Sequence, residues 1–263
     1  MVGLKRSILF FNLLGVFSVM SQEVEITSEL ITDRPDATES PKTVPKSTIQ
    51  VETGAFFETY EASGIKTETI GYNTTLVRFG VFENFEFRLG WNFEEIRTTI
   101  GGVKLDDVAS GLSPLLAGLK VEIAQEKGWI PQIGLLVHMA LPFAASEDFR
   151  PKTTGVDFRF SMGHTLSDKS SIGYNFGAQW GDDSSEVNYL YTLVYGYSIT
   201  QKLGSYIELY GDASEVNKPN HFWDAGFTYL ITRVIQADVT IGKSFSQGQD
   251  IIVSAGLSFR IPK

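Results

Sequence analysis

Residues 222–244 read FWDAGFTYLITRVIQADVTIGKS and residues 250–261 read DIIVSAGLSFRI. In the first stretch Trp223, Ala225, Phe227, Tyr229 and Ile231 alternate with Asp224, Gly226, Thr228 and Leu230. After Thr232 and Arg233 the pattern resumes, with Ile235, Ala237, Val239 and Ile241 set against Gln236, Asp238, Thr240 and Gly242. The second stretch repeats it: Ile251, Val253, Ala255, Leu257, Phe259 and Ile261 face away from Ser254, Gly256, Ser258 and Arg260, with Ile252 the one apolar residue out of phase. A period of two belongs to strands with one apolar and one polar or small face. A helix would bring its apolar residues back every three or four positions.

Working back from this end, the alternation recurs as far as Ile49, in about twelve runs of roughly ten residues, the length of strands that cross a membrane tilted in a barrel. The runs lie near 48–60, 67–82, 85–97, 114–124, 130–141, 154–165, 171–181, 187–199, 204–213, 221–231, 234–244 and 250–261. The expected fold is all-β: a twelve-stranded antiparallel transmembrane β-barrel with an N-terminal extended segment. Twelve is even, as a single-chain barrel with both ends on one side requires. Connections after even-numbered runs are short, at 83–84, 125–129, 166–170, 200–203 and 232–233. Those after runs three, five and nine are longer, at 98–113, 142–153 and 214–220, and those after one, seven and eleven intermediate. Pro114, Pro131, Pro142, Pro151, Pro219 and Pro262 fall at run ends or in loops, where a missing ladder donor does little harm. Within 104–118, Leu105, Val108, Leu112 and Leu115 also have helical spacing, so a short helix in that loop is the alternative.

The chain divides into a secretory leader at 1–21, a periplasmic segment at 22–47 and an outer-membrane barrel at 48–263. Lys5 and Arg6 supply the leader's positive start, residues 8–20 its apolar middle and Val19, Met20 and Ser21 a small-residue cleavage site before Gln22. The full chain carries a net charge of −9; Lys5 and Arg6 are the leader's only charges, so the mature chain would stand at −11. An acidic chain without basic clusters is not built for nucleic acid. With no cysteine there is no disulfide, thiolate metal site or cysteine-linked lipid anchor. Localisation in the bacterial outer membrane implies membrane lipid and the barrel assembly machinery as partners, with a small-molecule solute of unknown identity; no cofactor is called for.

Parity assigns the faces. Aromatic and aliphatic residues such as Phe57, Phe79, Phe87, Trp91, Phe158, Phe160, Tyr191 and Leu257 share the lipid side, and Trp91, Trp129, Trp180, Trp223 and Tyr229 near strand ends would form interface girdles. On the opposite face lie the residues expected to line a lumen: the acids Glu52, Glu86, Glu122, Asp157, Glu208, Asp224 and Asp238, the bases Arg78, Arg88, Lys120, Arg159 and Arg260, and His138. An Arg or Lys facing lipid would cost about 2–4 kcal/mol at the midplane, which is why the charges share one parity. Eight strands make a barrel filled by side chains and sixteen to eighteen an aqueous channel, so about twelve leave either a narrow path or a lumen closed by paired charges.

The segment Thr32, Asp33, Arg34, Pro35, Asp36, Ala37, Thr38, Glu39, Ser40, Pro41, followed by Val44, Gln50, Glu52 and Gly54, resembles the opening of an outer-membrane family named for the meta-pathway of phenol degradation (MetA) and labelled as transporters. The closing hairpins, with Asp224 to Leu230 and then Gly256, Leu257, Ser258, Phe259 and Arg260, are similar to that family's end. The resemblance spans nearly the whole mature chain and implies a secreted barrel that takes up small molecules, aromatic ones among the candidates. It departs at the terminus: the aromatic used in assembly often ends the chain, whereas here Phe259 is followed by Arg260, Ile261, Pro262 and Lys263. The decapeptide is too polar to meet lipid and too proline-stiffened for a central strand. It is expected either to fold into the barrel as a plug or gate, Arg34 meeting lumen acids and Asp33, Asp36 and Glu39 meeting Arg78, Arg88, Lys120 or Arg260, or to be a solvated tether.

The leading function is an outer-membrane channel, porin-like, for passive diffusion of small molecules. Two alternatives are a barrel enzyme acting on lipid or lipopolysaccharide and a closed structural barrel. Catalysis needs a nucleophile, a base and an orienting group within reach. The best set on offer is His221 with Asp212 and Ser214, and three polar residues near one loop are ordinarily just a loop, so no catalytic residue and no metal site is expected.

Overall fold

The computed structural model describes residues 29–181, 186–214, 218–246 and 248–261. The leader, the start of the N-terminal segment and Pro262 lie outside the described residues. Thirteen strands follow in order: Ile49–Ala62 (β1), Ile65–Phe82 (β2), Phe85–Ile100 (β3), Val103–Leu112 (β4), Leu115–Ala124 (β5), Gln132–Leu141 (β6), Gly155–Ser167 (β7), Ser170–Trp180 (β8), Val187–Ser198 (β9), Leu203–Ser214 (β10), Asn220–Thr232 (β11), Ile235–Ser244 (β12) and Gly248–Ile261 (β13). Every pairing is antiparallel, each barrel strand bonds to its neighbours, and β1 pairs with both β2 and β13, so the sheet closes on itself. Closure leaves no sheet edge in the wall, which a spanning β structure requires because lipid offers no hydrogen bonds to unpaired backbone.

The barrel wall has twelve strands; β4 is the extra one. The first part of β3 pairs with β5, from Phe85 opposite Val121 to Gly90 opposite Leu116, and its second part pairs with β4, from Phe93 opposite Leu112 to Ile100 opposite Val103. β4 and β5 are thus two halves of one return strand, interrupted at Ser113 and Pro114, where the proline has no N–H to give. The Ser113 amide donates to the Asn92 carbonyl at 2.9 Å and carries the ladder across the break. This corrects the expectation of a loop at 98–113 and removes the helix considered at 104–118. Val103, Leu105, Val108 and Leu112 are all exposed, so a helix there would have no partner for its apolar face, whereas β3 satisfies the backbone of an extended chain. Gly101 and Gly102, at φ 56° and 82°, supply the left-handed residues of a two-residue hairpin turn at the tip.

The start of β1 and the end of β13 mark one rim, called proximal here: Ile49 lies opposite Ile261. Its connections, at 83–84, 125–131, 168–169, 199–202 and 233–234, are short. The distal rim carries 142–154, with two 3-10 turns at Pro142–Ala144 and Glu147–Phe149, and the extended β3–β4 hairpin. The connection after β1 is a two-residue turn at Ser63 and Gly64, φ 54° and 76°, rather than one of intermediate length, because β1 and β2 run on past their expected ends.

Faces follow parity. Among the described residues only five apolar side chains are buried against twenty-three polar or charged ones, while Phe160, Phe176, Phe227, Val239 and Leu257 are exposed on the outside. That inversion of a soluble protein's distribution is the mark of a barrel whose outer surface meets lipid and whose interior is polar.

Candidate functional site in the barrel lumen

Residues 29–48 run inside the barrel rather than beside it. The Ser47 amide donates to the Gly80 carbonyl at 2.7 Å, which docks the segment at the proximal end of β2. The Val44 amide donates to Glu86 Oε2 at 2.6 Å, and Pro41 packs against Gly134, where a Cβ would come within 2.7 Å of the proline carbonyl oxygen. From there the chain crosses the lumen and is held on three sides.

On the β1–β5 wall, Asp33 is the hub. Its Oδ2 lies 3.0 Å from Arg78, 2.9 Å from Arg88 and 2.7 Å from Lys120. Arg78 also bonds Glu52 at 2.9 Å and Glu86 at 2.8 Å, and Arg88 reaches Glu39 at 3.0 Å. The amides of Asp33 and Arg34 donate to Glu52 Oε2, and Lys120 donates to the Ser40 carbonyl at 2.8 Å. These strand residues are all buried, so each charge depends on its partners rather than on water. Burial alone would push the Asp33 carboxyl up, but Arg78, Lys120 and Arg88 outweigh it and hold the group well below the usual carboxylate range.

Beside that wall, Arg34 binds Asp238 on β12 through two guanidinium nitrogens, at 2.9 and 3.3 Å. The guanidinium lies flat against Gly54 and Gly256. A Cβ at Gly256 would come within 2.3 Å of Arg34 Nε, so these positions need glycine to admit the side chain. On the third side Glu208 accepts from the Ala37 amide at 2.7 Å and from the Thr38 hydroxyl, which also meets Thr192 at 2.7 Å. Asn175 grips both the amide and the carbonyl of Glu39, at 2.7 and 2.9 Å.

Asp36 departs from expectation: it meets none of the lumen bases and sits instead beside Glu208 and Asp224. Loss of water first, and those two carboxylates next, push its carboxyl well above the usual range. Arg260 likewise does not meet the decapeptide's carboxylates; it bonds Gln50 and the Glu29 carbonyl. Glu122, near the proximal rim, takes Gln132 at 3.0 Å. His138 and Arg159 flank Asp157, at 3.3 and 3.2 Å. Pro35 and Asp36 face the proximal side, and Ser40 donates its amide to Asp33 at 2.9 Å.

The segment divides the lumen. A distal cavity of about 470 Å³ is lined by Thr74, Asn92, Arg88, His138 and Pro114, and two proximal cavities, of about 370 and 250 Å³, by residues of the short proximal turns and by Thr32, Asp36 and Pro41. Arg34 and Glu39 reach cavities on both sides, so the septum is one side chain thick there.

Gln50, Gln236 and Thr240, noted in the sequence for motif or parity but not as site residues, belong to this site, as do Asn175 and Thr192, which the sequence reading did not name. They share the inward parity of the charged residues, and that parity was the available signal; being uncharged, they did not stand out. Of the set considered for catalysis, His221 shares a 2.6 Å hydrogen bond with the Tyr191 hydroxyl, and Asp212 accepts from Asn220. Among the described residues, no group of three or more His, Asp or Glu side chains is placed to hold a metal ion.

Several solved structures share the fold. The COG4313 outer membrane channel from Pseudomonas putida F1 aligns with TM-score 0.62 at 13% identity, over 84% of this chain and 97% of that one. The KdgM porin aligns at 0.50 and 9% identity over 80% and 98%, and the translocator domain of autotransporter NalP from Neisseria meningitidis at 0.50 and 11% over 81% and 88%. At such identities the likeness speaks to the fold, an outer-membrane type of β-barrel. No curated protein matches the sequence. A family profile does match, over residues 32–261, beginning at the first residue of the interior decapeptide and ending with the last described strand. The chain belongs to the family described as "Putative MetA-pathway of phenol degradation".

Proposed function

We propose that this protein is a passive channel of the bacterial outer membrane for small molecules, and that residues 32–41 close it at rest. The observation that carries this reading is the septum: a proline-stiffened segment, not part of the wall, crosses a lumen that has cavities on either side of it. An interior segment held by ion pairs and hydrogen bonds, rather than by a ladder, can leave its seat without opening the barrel. The proximal rim, where the first strand starts, the last strand ends and the turns are short, is the periplasmic one, as in bacterial barrels generally. The acid excess of the lumen would favour cations once the path is open. The family's description names phenol degradation, which supports a small aromatic cargo. Membrane lipid, and the assembly machinery reading the Phe259 end, are the partners this role requires.

Single-channel recording with the full-length protein and with residues 32–41 deleted tests the reading. The deletion should raise the conductance and pass larger sugars in liposome swelling. If the folded deletion variant conducts no better than the full chain, the gate is eliminated, and a barrel that conducts in neither form is a closed structural one.

A further inference from the structure

Glu39 both meets the basic part of the wall and borders the distal cavity. Asn175 on β8 fixes its amide and its carbonyl, at 2.7 and 2.9 Å, and from that anchor the side chain reaches Arg88 on β3 and Lys120 on β5. Oε1 accepts from Arg88 Nη2 at 3.2 Å. Oε2 lies 3.0 Å from Arg88 Nη1 and 3.5 Å from Lys120 Nζ, yet it makes no hydrogen bond to either. A guanidinium holds a carboxylate best as a fork on a fork, through two parallel N–H···O bonds. With its backbone clamped on β8, Glu39 supplies one of the two.

Charge here is divided unevenly between wall and segment. The wall brings three bases, Arg78, Arg88 and Lys120, and the two acids that pair with them, Glu52 and Glu86. The segment brings Asp33 and Glu39. Without the segment this part of the lumen holds one positive charge in excess, and a charge away from water needs a partner. The acids that make the lumen acidic as a whole, Glu208, Asp224 and Asp238, stand on other strands, β10, β11 and β12. Arg88 and Lys120 have almost no exposed side-chain surface, whereas the Glu39 side chain that caps them is 17% exposed. It borders the distal cavity of about 470 Å³, so a solute there meets Glu39 before it meets the bases. Leu76, Pro114, Leu116 and Ala140 line the same cavity and give it an apolar side next to its charged end.

We propose that Arg88 and Lys120 form a binding site for small monocarboxylates with a compact apolar body, and that Glu39 occupies this site at rest in the solute's stead. A solute carboxylate is free to align both oxygens on Arg88, as the tethered Glu39 is not. When it replaces Glu39 the segment loses one of its ties to the wall. The site rests on the channel reading above and adds to it a class of cargo and the contact through which that cargo loosens the septum.

Carbon-13 NMR on the purified full-length barrel tests this with carboxyl-labelled butyrate and, as the uncharged analogue of the same shape, butyramide, at one low ionic strength because salt screens the contact. Saturable broadening of the butyrate signal, with none for butyramide, is the expected result. Glu39→Gln removes the competing carboxylate and should tighten butyrate binding by about tenfold or more, the worth of one charge-assisted hydrogen bond. Adding Arg88→Met to Glu39→Gln should abolish binding without stranding a carboxylate, since Asp33 keeps Arg78 and Lys120. Glu39 belongs to the segment and not to the wall, so Glu39→Gln decides the matter if the double variant does not fold. In bilayer recordings butyrate should raise the open fraction of the full-length barrel and butyramide should not. Equal behaviour of the two probes, or a butyrate affinity indifferent to Glu39→Gln, overturns the site. Deletion of residues 32–41 reads the gate separately: higher conductance of that variant, with no butyrate binding by the full chain, removes the site and leaves the gate standing.

Discussion

Arg34→Met isolates the energetics of the septum. Asp238 has no solvent-exposed side-chain surface, and its ion pair in the structure is with Arg34, through nitrogens at 2.9 and 3.3 Å. Removing one member of a buried pair strands the other charge, at a cost of about 3–5 kcal/mol. The wall can avoid most of that cost by releasing the segment, because water from the cavities on either side of Arg34 then reaches Asp238. At about 1.4 kcal/mol per decade, the ratio of unseated to seated segment should rise by roughly two to three and a half orders of magnitude. Single-channel recording would show this as a longer dwell in the open state, and limited proteolysis as faster cleavage within 32–41, with the barrel still folded on a heat-modifiability gel. The double variant Arg34→Met with Asp238→Asn leaves no stranded charge and should return most of the way to closed. If Arg34→Met stays closed and protected, or if the double variant is no better than the single, the reasoning that seating depends on this pair is refuted.

Gly256→Ala attacks the same pair from the wall: its Cβ would fall 2.3 Å from Arg34 Nε, so channel opening should increase with the segment's sequence untouched. Acidity acts on the segment in two opposite ways. Asp33, depressed by Arg78, Lys120 and Arg88, steadies the seat above the ordinary carboxylate pKa of about 3.9, and this support is lost as pH falls through its lowered value. Asp36, raised by burial and by Glu208 and Asp224, does the reverse: its contribution is full below the ordinary pKa and lost as pH rises through its raised value. The closed fraction in bilayer recordings should therefore rise on mild acidification from neutral and fall only in stronger acid, and Asp36→Asn should flatten the first of these changes and close the channel more fully at neutral pH. At the distal hairpin tip, Gly101→Val and Gly102→Val place a β-branched residue at positive φ and should cost about 1–2 kcal/mol each, read as faster amide exchange in β4 with the barrel ladder unchanged.

The strands and their faces were legible in the sequence because both are local. A period of two survives any tertiary arrangement, and a charge on the lipid side costs enough that residues such as Arg88, Lys120 and Asp238 have to share the inward parity. The β3–β4 hairpin was not legible: Leu105, Val108 and Leu112 suit a helix as well as a strand until a partner is known, and the partner is the distal half of β3. Asp36 shows the same limit within the decapeptide, since nothing in its neighbours along the chain says that it faces Glu208 and Asp224 while Asp33, three residues earlier, faces three bases. Alternation along the chain by itself determined a closed antiparallel barrel with its charges indoors. The path of residues 32–41 across the lumen, and the seat of Glu39 on Arg88 beside Lys120, were decided only by tertiary structure, because strand register and barrel closure bring together residues that no local pattern relates.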